Sequence, residues 1–412
     1  MSNILKGNAI VGQSGGPTCA INATLAGVIR AALEEENIGT LYGAFNGIEG
    51  VLKETFCNLN EVFKNKDDIT TLENTPAAAL GSCRLKLPKV KDDPEAFEKL
   101  FAIFKKYDIR YFFYIGGNDS MDTVAKISEY SKISDYKIIV MGIPKTIDND
   151  LVGTDHTPGF GSAAKYIAAS MQEILRDCAV YTVKAVTIVE IMGRNAGWLT
   201  AAAALLRIIS DVCPDLVYLP ERTFNFDEFF EDVRKALEVH PNVVIAVSEG
   251  LKLADGSYVG ESAQSGATDA FGHKYLSGTG KALEIAVKNE IGCKVRSVEL
   301  NILQRCASHI ASKTDIDESV AVGKAAVKNA VSGITGKMMS YVREESKDYK
   351  INIGYEEISE IANEVKTVPD EFITARGNNV TDECLEYIKP LILGEQNQVY
   401  KDGIPAHFTI KR

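Results

Sequence analysis

Residues 144–150 concentrate side chains that can take part in acid–base chemistry and in the binding of anions. The segment reads PKTIDND, so a lysine, a hydroxyl and two carboxylates fall within seven residues. Such groups exchange protons with substrates and neutralise negative charge. The structural alternative is a surface turn, because Asn and Asp favour turns through bonds to the backbone. That alternative explains neither the lysine nor the apolar run 137–143 that precedes the segment.

Two glycine loops offer backbone N–H groups to a phosphate. Residues 12–17 read GQSGGP after a short apolar run, and residues 116–120 read GGNDS after the apolar run 110–115. A glycine loop that opens a helix can bind phosphate through its N–H groups and the helix dipole. Each loop alone is equally well explained as a tight turn, and the first has neither dinucleotide-binding nor Walker spacing. The occurrence of two such loops favours phosphate binding.

Arginines and a further carboxylate occupy similar positions. Residues 192–197 read MGRNAG and residues 248–250 read SEG, each after an apolar run. Arg84 lies in a loop, and Arg296 and Arg305 flank a short segment. The guanidinium fork binds phosphate with two parallel hydrogen bonds. Taken singly, each arginine is equally a salt-bridge partner and the glutamate an exposed turn residue.

The elements that must position these groups alternate along the chain. Apolar, β-branched runs followed by segments of helical period predict an α/β fold with a mainly parallel sheet, whose ligands bind at the carboxyl ends of the strands. The predicted strands are residues 9–11, 110–115, 137–143, 182–191, 216–219, 243–247 and 295–300. The predicted helices are residues 21–33, 94–107, 121–130, 162–178, 196–209, 226–238, 280–290 and 316–331.

The composition excludes several classes of protein. A chain of 412 residues is expected to hold two or three domains, and its net charge of −11 opposes the binding of nucleic acid. No stretch is long and apolar enough to span a membrane, and the start of the chain lacks the apolar region of a secretory signal. We therefore expect a cytoplasmic location. The eight cysteines form no C-x-x-C pair, which argues against a zinc ribbon.

The motifs GGP, LGSCR, GGNDS, PKTIDND, MGR, SEG and an R-x8-R pair follow one another in a single order. In this order the chain resembles the phosphofructokinase family, and within it the pyrophosphate-dependent branch. The resemblance covers roughly residues 7–340, and PKTIDND is its most specific motif. It implies two Rossmann-like three-layer α/β/α domains with the active site in the cleft between them. A phosphoryl-donor domain would comprise residues 1–157 and about 306–350, and a sugar-phosphate domain residues 158–305 and about 351–412.

The resemblance also implies an activity and roles for single residues. The reaction would be reversible transfer of a phosphoryl group from pyrophosphate to the 1-hydroxyl of fructose 6-phosphate. Asp148 would be the general base, and Lys145 would neutralise charge on the transferred group. The catalytic residues would be Asp148, Lys145, Asp119, Thr146 and Asp150. The pyrophosphate-binding residues would be Gly15, Gly16, Arg84, Gly117 and Lys145. The sugar-phosphate-binding residues would be Thr146, Asp148, Met192, Gly193, Arg194, Glu249, Arg296 and Arg305.

Within the resemblance to this family, Asp119 and Lys145 indicate whether pyrophosphate or ATP is the phosphoryl donor. ATP-dependent relatives generally have glycine at the first position, which leaves room for the α-phosphate, and they lack the lysine. A carboxylate about 4 Å from that phosphate opposes it by about 4 kcal/mol per charge pair at an effective dielectric near 20. Pyrophosphate has no α-phosphate, so it is the expected donor.

The sequence departs from the family pattern at several positions. Asn118 replaces the usual aspartate of GGDDS, so a Mg²⁺ ion would be held by Asn118 and Asp119, by Asp150, or mainly by pyrophosphate and water. Ala185 replaces an arginine that crosses a subunit interface in many relatives. A homodimer or homotetramer is nevertheless expected from the family.

Three other functions are weighed against this one. An ATP-dependent 6-phosphofructokinase would need Asp119 to point away from the donor. A non-catalytic regulatory subunit that senses sugar phosphates would be expected to lack Asp148 or Lys145, and both are present. A nicotinamide dehydrogenase would need the missing G-x-G-x-x-G motif. Acceptance of sedoheptulose 7-phosphate stays open.

Overall fold

The computed structural model describes residues 4–260, 278–361 and 364–411. The strands in these ranges are β1 (Gly7–Gln13), β2 (Ile38–Ala44), β3 (Phe56–Asn58), β4 (Ile109–Gly116), β5 (Ile139–Pro144), β6 (Ala185–Ile191), β7 (Leu216–Tyr218), β8 (Asn242–Ser248), β9 (Lys294–Glu299), β10 (Lys337–Arg343), β11 (Ile351–Glu357), β12 (Tyr400–Lys401) and β13 (Ile404–Pro405). The α-helices are α1 (Ile21–Glu34), α2 (Gly47–Leu52), α3 (Leu59–Val62), α4 (Lys66–Glu73), α5 (Pro94–Lys106), α6 (Asn118–Ser131), α7 (Phe160–Cys178), α8 (Trp198–Ala202), α9 (Leu206–Ile209), α10 (Phe226–Val239), α11 (Thr279–Glu290), α12 (Leu303–Cys306), α13 (Lys313–Val331), α14 (Ile358–Ile361) and α15 (Asp382–Ile388).

The first sheet has the strand order β11-β10-β5-β4-β1-β2-β3. Its inner pairs are parallel, and β3 and β11 pair antiparallel at the two edges. Successive side chains of a strand point to opposite faces. Val11 and Phe113 accordingly pack with Leu25 of α1, whereas Ile10 and Phe112 pack in a separate cluster that includes residues of α5 and α6. Helices therefore cover both faces of this sheet.

The second sheet has four parallel strands in the order β7-β8-β6-β9. Val189 of the central strand β6 packs on one face with Met171 of α7, and Ile188 packs on the other with Phe229 of α10. Among the described residues, these two larger sheets are each covered by helices on both faces, and β12 and β13 form a separate two-stranded antiparallel sheet. This confirms the predicted α/β class with mainly parallel sheets.

Helices α1 and α13 cross at a pair of glycines. A Cβ on Gly27 would lie 2.2 Å from the carbonyl O of Val320, and a Cβ on Gly323 would lie 2.2 Å from that of Thr24. Any larger residue would push the two helices apart. The contact fixes α1, which begins after the first glycine loop, against α13.

The seven predicted strands and most of the predicted helices are found within a few residues of their expected bounds. The predicted helix 196–209 is divided into α8, a 3₁₀ turn (Ala203–Leu205) and α9. Strand β11 lies in the first sheet, although the sequence prediction assigned residues from about 351 onward to the sugar-phosphate domain. The rest of the domain division stays a prediction, and parts of its ranges lie outside the described residues. Within those residues, no helix combines the length and apolar character needed to cross a bilayer.

Candidate active site

The loops after β1, β4 and β5 lie side by side at one edge of the first sheet. These strands are adjacent and parallel, with Gln13 opposite Ile115 and Gly116 opposite Pro144. The backbone N–H of Lys145 donates to the carbonyl O of Gly116 at 2.9 Å. The two glycine loops and the PKTIDND segment therefore form one surface. We call this surface, residues 14–18, 82–86, 117–119 and 145–150, the first wall.

Lys145 bridges two loops of the first wall. Its Nζ donates to the carbonyl O of Gly16 at 2.7 Å. Gly15 has a φ of +78°, and a Cβ there would lie 3.1 Å from the same Nζ, so a side chain would both strain the backbone and crowd the lysine. Burial lowers the pKa of Lys145 to about 8, although Asp148 and Asp150 act to raise it.

Asp148 and Asp150 lie within electrostatic range of each other and of Lys145. Burial, followed by the charge of Asp150, raises the pKa of Asp148 to about 7, and burial also raises the pKa of Asp150. Asn149 between them is fully buried and has a left-handed φ of 54°. Thr146 Oγ1 accepts the backbone N–H of Asp148 at 3.1 Å. A carboxylate whose pKa is near neutral can accept a proton and release it again at neutral pH.

The loop of residues 82–86 packs against the first glycine loop. Ser82 Oγ donates to the carbonyl O of Gly15 at 2.6 Å, and the N–H of Gly15 donates to the carbonyl O of Cys83 at 3.4 Å. These bonds bring Arg84 close enough to Lys145 to lower the pKa of the lysine. Two cations therefore lie within electrostatic range of each other beside the first glycine loop.

Helix α6 begins in the second glycine loop and carries two polar residues in its first turn. Asp119 forms an ion pair with Lys86 at 2.9 Å. Asn118 Nδ2 donates to the carbonyl O of Glu364 at 2.8 Å. The Oδ1 atom of Asn118 is buried and has no hydrogen-bond partner among the described residues. An unfilled acceptor at this position is suited to a metal ion or to a donor from a bound ligand.

The loops after β6, β8 and β9 form a second wall, residues 192–197, 248–250 and 300–305. Gly193, with a φ of +131°, donates its N–H to Glu249 Oε1 at 3.2 Å, and its carbonyl O accepts from Ser248 Oγ at 2.6 Å. The N–H of Met192 donates to Gln304 Oε1 at 3.3 Å. The three loops are therefore tied to one another by bonds between side chains and backbone.

The two walls face each other across a cleft. A Cβ on Gly16 of the first wall would lie 3.5 Å from Nη1 of Arg305 of the second. Arg194 and Arg305 both act to lower the pKa of Asp148. Burial raises the pKa of Glu249 to about 8, and the charge of Asp148 acts in the same direction. The cleft holds most of the residues proposed from the sequence, namely Gly15, Gly16, Arg84, Gly117, Asn118, Asp119, Lys145, Thr146, Asp148, Asp150, Met192, Gly193, Arg194, Glu249 and Arg305.

Arg296 does not lie in the cleft. The sequence prediction grouped it with the other sugar-phosphate residues, but it lies on β9 opposite Thr187, in the amino-terminal half of β6. There it lines a small cavity with Tyr181 and Asn242. The cleft is at the carboxyl end of the same strands. Within one chain, Arg296 therefore lies toward the amino-terminal ends of these parallel strands, whereas the arginines of the cleft lie at the carboxyl ends.

Several residues of the cleft were not predicted from the sequence. Lys86 pairs with Asp119, and Glu190 of β6 accepts the N–H of Gly280 at 2.7 Å, where α11 begins. Burial raises the pKa of Glu190 to about 7. Lys86 lies two residues after Arg84, and Glu190 lies four residues before Arg194. Their closeness to these motifs is the one feature of the sequence that could have pointed to them. Lys366, which contacts the PKTIDND segment, has no such signal.

A divalent ion would find a partial set of ligands here. No group of three or more His, Cys, Asp or Glu side chains is arranged to hold a metal ion in the part of the chain that the structure describes. Asn118 Oδ1 and the carboxylate of Asp119 are the oxygens at the start of α6. Mg²⁺ typically takes one or two protein oxygens and completes its shell with substrate phosphate and water. The residues present fit that mode of binding.

Comparisons with known proteins agree with this architecture. The sequence model of the family described as Phosphofructokinase matches residues 8–330. The pyrophosphate--fructose 6-phosphate 1-phosphotransferase of Methylococcus capsulatus (strain ATCC 33009 / NCIMB 11132 / Bath) is 39% identical over 406 residues, which are 98% of this chain and 96% of the relative. The protein of the same name from Xanthomonas campestris pv. campestris (strain B100) is 41% identical over 409 residues, again 98% and 96% of the two chains.

A solved structure is similar over the same length. The crystal structure of the pyrophosphate-dependent phosphofructokinase from Nitrosospira multiformis superimposes with a TM-score of 0.88 at 39% identity, and the match covers 98% of this chain and 96% of that one. The order of motifs, the two-sheet architecture and these matches lead to the same assignment. The chain belongs to the phosphofructokinase family.

Proposed function

We propose that this chain catalyses the reversible transfer of a phosphoryl group from pyrophosphate to the 1-hydroxyl of fructose 6-phosphate, giving fructose 1,6-bisphosphate and phosphate. One observation carries the proposal. Lys145 contacts the first glycine loop through the carbonyl O of Gly16 and lies within electrostatic range of Asp148. A cation and a proton acceptor are thus held together between a phosphate-binding loop and an arginine-lined wall. The names of the relatives support the same activity.

The second wall would bind the sugar phosphate. Arg194 and Arg305 supply guanidinium groups for the 6-phosphate, and Glu249 supplies acceptors for sugar hydroxyls. The backbone of Gly193 is fixed by its bonds to Glu249 and Ser248. The sugar is thereby oriented with its 1-hydroxyl toward Asp148.

The first wall would carry out the transfer. Asp148 takes the proton of the attacking hydroxyl, and its pKa of about 7 matches that task at neutral pH. Lys145 and Arg84 stabilise the charge that spreads over the equatorial oxygens of the transferred group. The N–H groups of Gly16 and Gly117, in the two glycine loops, would bind the phosphates of the donor. Release of phosphate returns the proton from Asp148 to solvent or to the leaving group.

Enzymes of this family generally use a divalent metal ion. We propose Mg²⁺, because the available ligands are the amide oxygen of Asn118 and the carboxylate of Asp119 rather than nitrogen or sulfur. When bound, the ion neutralises part of the charge of pyrophosphate.

The choice of donor rests on Asp119 and its partner. The sequence argument assigned the exclusion of ATP to repulsion between this carboxylate and an α-phosphate. The ion pair with Lys86 compensates part of that charge. The exclusion of ATP therefore also depends on the volume that the paired side chains occupy at the start of α6.

The donor assay tests this proposal. Initial rates of fructose 1,6-bisphosphate formation are measured with fructose 6-phosphate, Mg²⁺ and either pyrophosphate or ATP, for the natural chain and for Asp119→Gly. We expect activity with pyrophosphate alone, and a measurable ATP-dependent rate only in the variant. Activity of the natural chain with ATP would favour the ATP-dependent alternative, and activity with neither donor would favour the regulatory subunit. A cytoplasmic location and a homodimer or homotetramer are further parts of the proposal.

A further inference from the structure

A short segment near the C-terminus, residues 364–368, contacts loops of both walls. It lies beyond the residues that the family model matches. The carbonyl O of Glu364 accepts from Asn118 Nδ2 at 2.8 Å, and the N–H of Lys366 donates to the carbonyl O of Asp150 at 2.9 Å. This short stretch of backbone therefore joins the start of α6 to the PKTIDND segment.

The same segment reaches the second wall through Glu221. The Oε1 atom of Glu221 accepts the N–H of Val368 at 2.9 Å and the N–H of Gly197 at 2.8 Å. Gly197 ends the loop that carries Arg194. A single carboxylate oxygen thus fixes the distance between residues 364–368 and the arginine loop.

The side chain of Lys366 is hydrogen-bonded to residues 149–155, which directly follow Asp148. Its Nζ donates to Asn149 Oδ1 at 3.2 Å and to the carbonyl oxygens of Thr154 and Asp155 at 3.2 and 2.6 Å. An ammonium group has three protons, so each has an acceptor. Asn149 Nδ2 is held in turn by the hydroxyl of Tyr387 at 3.1 Å. Both the oxygen and the nitrogen of the Asn149 side-chain amide are therefore hydrogen-bonded, which fixes this left-handed residue between Asp148 and Asp150.

A lysine in this position is not explained by packing alone. Burial lowers the pKa of Lys366 to about 8, while Asp155 and Asp150 act to raise it. Burying a cation is unfavourable unless its charge and its protons are matched, and an apolar residue of similar length would avoid that cost. The acceptors of Lys366 all belong to residues 149–155, which follow Asp148.

We propose that Lys366 is a positioning residue that holds Asp148 in place for the proposed phosphoryl transfer. The hydrogen bonds that Lys366 donates all go to Asn149 and to the backbone of residues 150–155, so its effect on Asp148 would pass through these residues. The inference rests on the proposed function, because the effect is read as a loss of transfer rate. A displacement of about 1 Å at a catalytic group can lower the rate by about 100-fold.

Trp198 provides a readout that does not depend on activity. It is the one tryptophan of the sequence. Its indole N–H donates to the carbonyl O of Lys366 at 3.1 Å, and Lys366 Nζ lies 5.4 Å from the centre of its ring. Indole emission responds to a nearby charge and to its hydrogen bond. Tryptophan fluorescence of the whole chain therefore reports on the position of this lysine.

The experiment compares Lys366→Met and Lys366→Arg with Lys389→Met, which removes a surface lysine paired with Glu386 at 3.5 Å. For Lys366→Met we expect a fall of about 10- to 100-fold in kcat with KM for fructose 6-phosphate changed by less than about threefold, and a shift in Trp198 emission. Lys366→Arg keeps the charge and some donors, so it should recover part of the lost rate. Lys389→Met should match the natural chain in all three measurements.

The outcomes test the positioning role of Lys366 separately from the proposed phosphoryl transfer. Unchanged kcat in both Lys366 variants overturns the positioning role, as does a loss of kcat that is accompanied by an equal loss of binding and of thermal stability. If Lys366→Met does not fold, Lys366→Arg decides alone, through a lowered kcat at unchanged KM or its absence. If the natural chain uses ATP instead, only the proposed donor fails and the variants are assayed with ATP. A natural chain that is active with neither donor overturns both.

Discussion

The two walls of the cleft are built in different ways. The first wall depends on side-chain charges, with Lys145 against the carbonyl O of Gly16 and Lys86 against Asp119. The second wall depends on carboxylates and amides that accept backbone N–H groups, as Glu249 does from Gly193. Burial raises the pKa of Glu249 to about 8, so this group is largely protonated at neutral pH before the substrate binds. The rate of the reaction should therefore be sensitive to the removal of side-chain charges in the first wall. In the second wall, the shape and hydrogen bonds of the side chains should matter more than their charge.

Asp148→Asn should give the largest effect, because it removes the proton acceptor and keeps the shape of the side chain. We expect kcat to fall by about 1,000-fold, within the range found for general bases, while fructose 6-phosphate still binds. Steady-state rates and a direct titration of binding measure the two quantities. Asp317→Asn, which alters an exposed aspartate of α13 paired with Lys313, is the matched control. A variant within tenfold of the natural rate would remove Asp148 from its catalytic role.

The same substitution should stabilise the protein at alkaline pH. The folded-state pKa of Asp148 is raised from its ordinary 3.8 to about 7, so the folded state binds this proton more tightly than the unfolded state does. The corresponding contribution to stability is present below about pH 4 and is lost as the pH rises to about 7. Asparagine cannot ionise and avoids that loss. At pH 8 the variant should melt a few degrees higher than the natural chain, and equal melting temperatures would contradict the buried charge.

Lys145→Met should give the next largest effect and tests the charge of the first wall directly. Loss of a preorganised cation at a transferring phosphoryl group typically costs about 100- to 1,000-fold in kcat. KM for pyrophosphate should also rise, whereas KM for fructose 6-phosphate should stay within about threefold. Lys53→Met removes an exposed lysine that pairs with Glu49 and should leave all three constants unchanged. A change confined to fructose 6-phosphate binding would mean that Lys145 serves the other wall.

The difference between the walls also explains how far the sequence could predict them. In the first wall, the reactive residues are contiguous in PKTIDND and directly follow a strand that is visible as a short apolar run, so their type and position could be predicted. The bounds of the strands followed from such runs, and those of the helices from the spacing of apolar residues by three and four. Lys86 escaped prediction because its role depends on a loop conformation that brings it to Asp119.

Other features depended on long-range packing. Strand β10 carries two methionines and a serine in its buried stretch instead of a run of β-branched residues, and its place beside β5 is set by the sheet. The spacing between Arg296 and Arg305 does not reveal that one residue lies along β9 and the other beyond its end. Lys366 is more than 200 positions from Asn149, and no local pattern links them.

Glu249→Gln should give the smallest effect, and it tests whether the second wall depends on shape or on charge. Glutamine matches the protonated form of Glu249 in shape, and its Oε1 can still accept the N–H of Gly193. At pH 7 we expect kcat to be unchanged and KM for fructose 6-phosphate to rise by about two- to fivefold, the equivalent of one weakened hydrogen bond.

The pH dependence of this variant distinguishes shape from charge. As the pH rises from 7 to 9 the natural side chain ionises, and an ionised acceptor binds sugar hydroxyls more strongly than an amide does. The ratio of the two KM values should therefore grow across this range, whereas Glu290→Gln, at an exposed glutamate paired with Arg234, should give a ratio near one throughout. A loss of 100-fold or more already at pH 7 would mean that Glu249 works as an anion, and that the second wall depends on charge as much as the first.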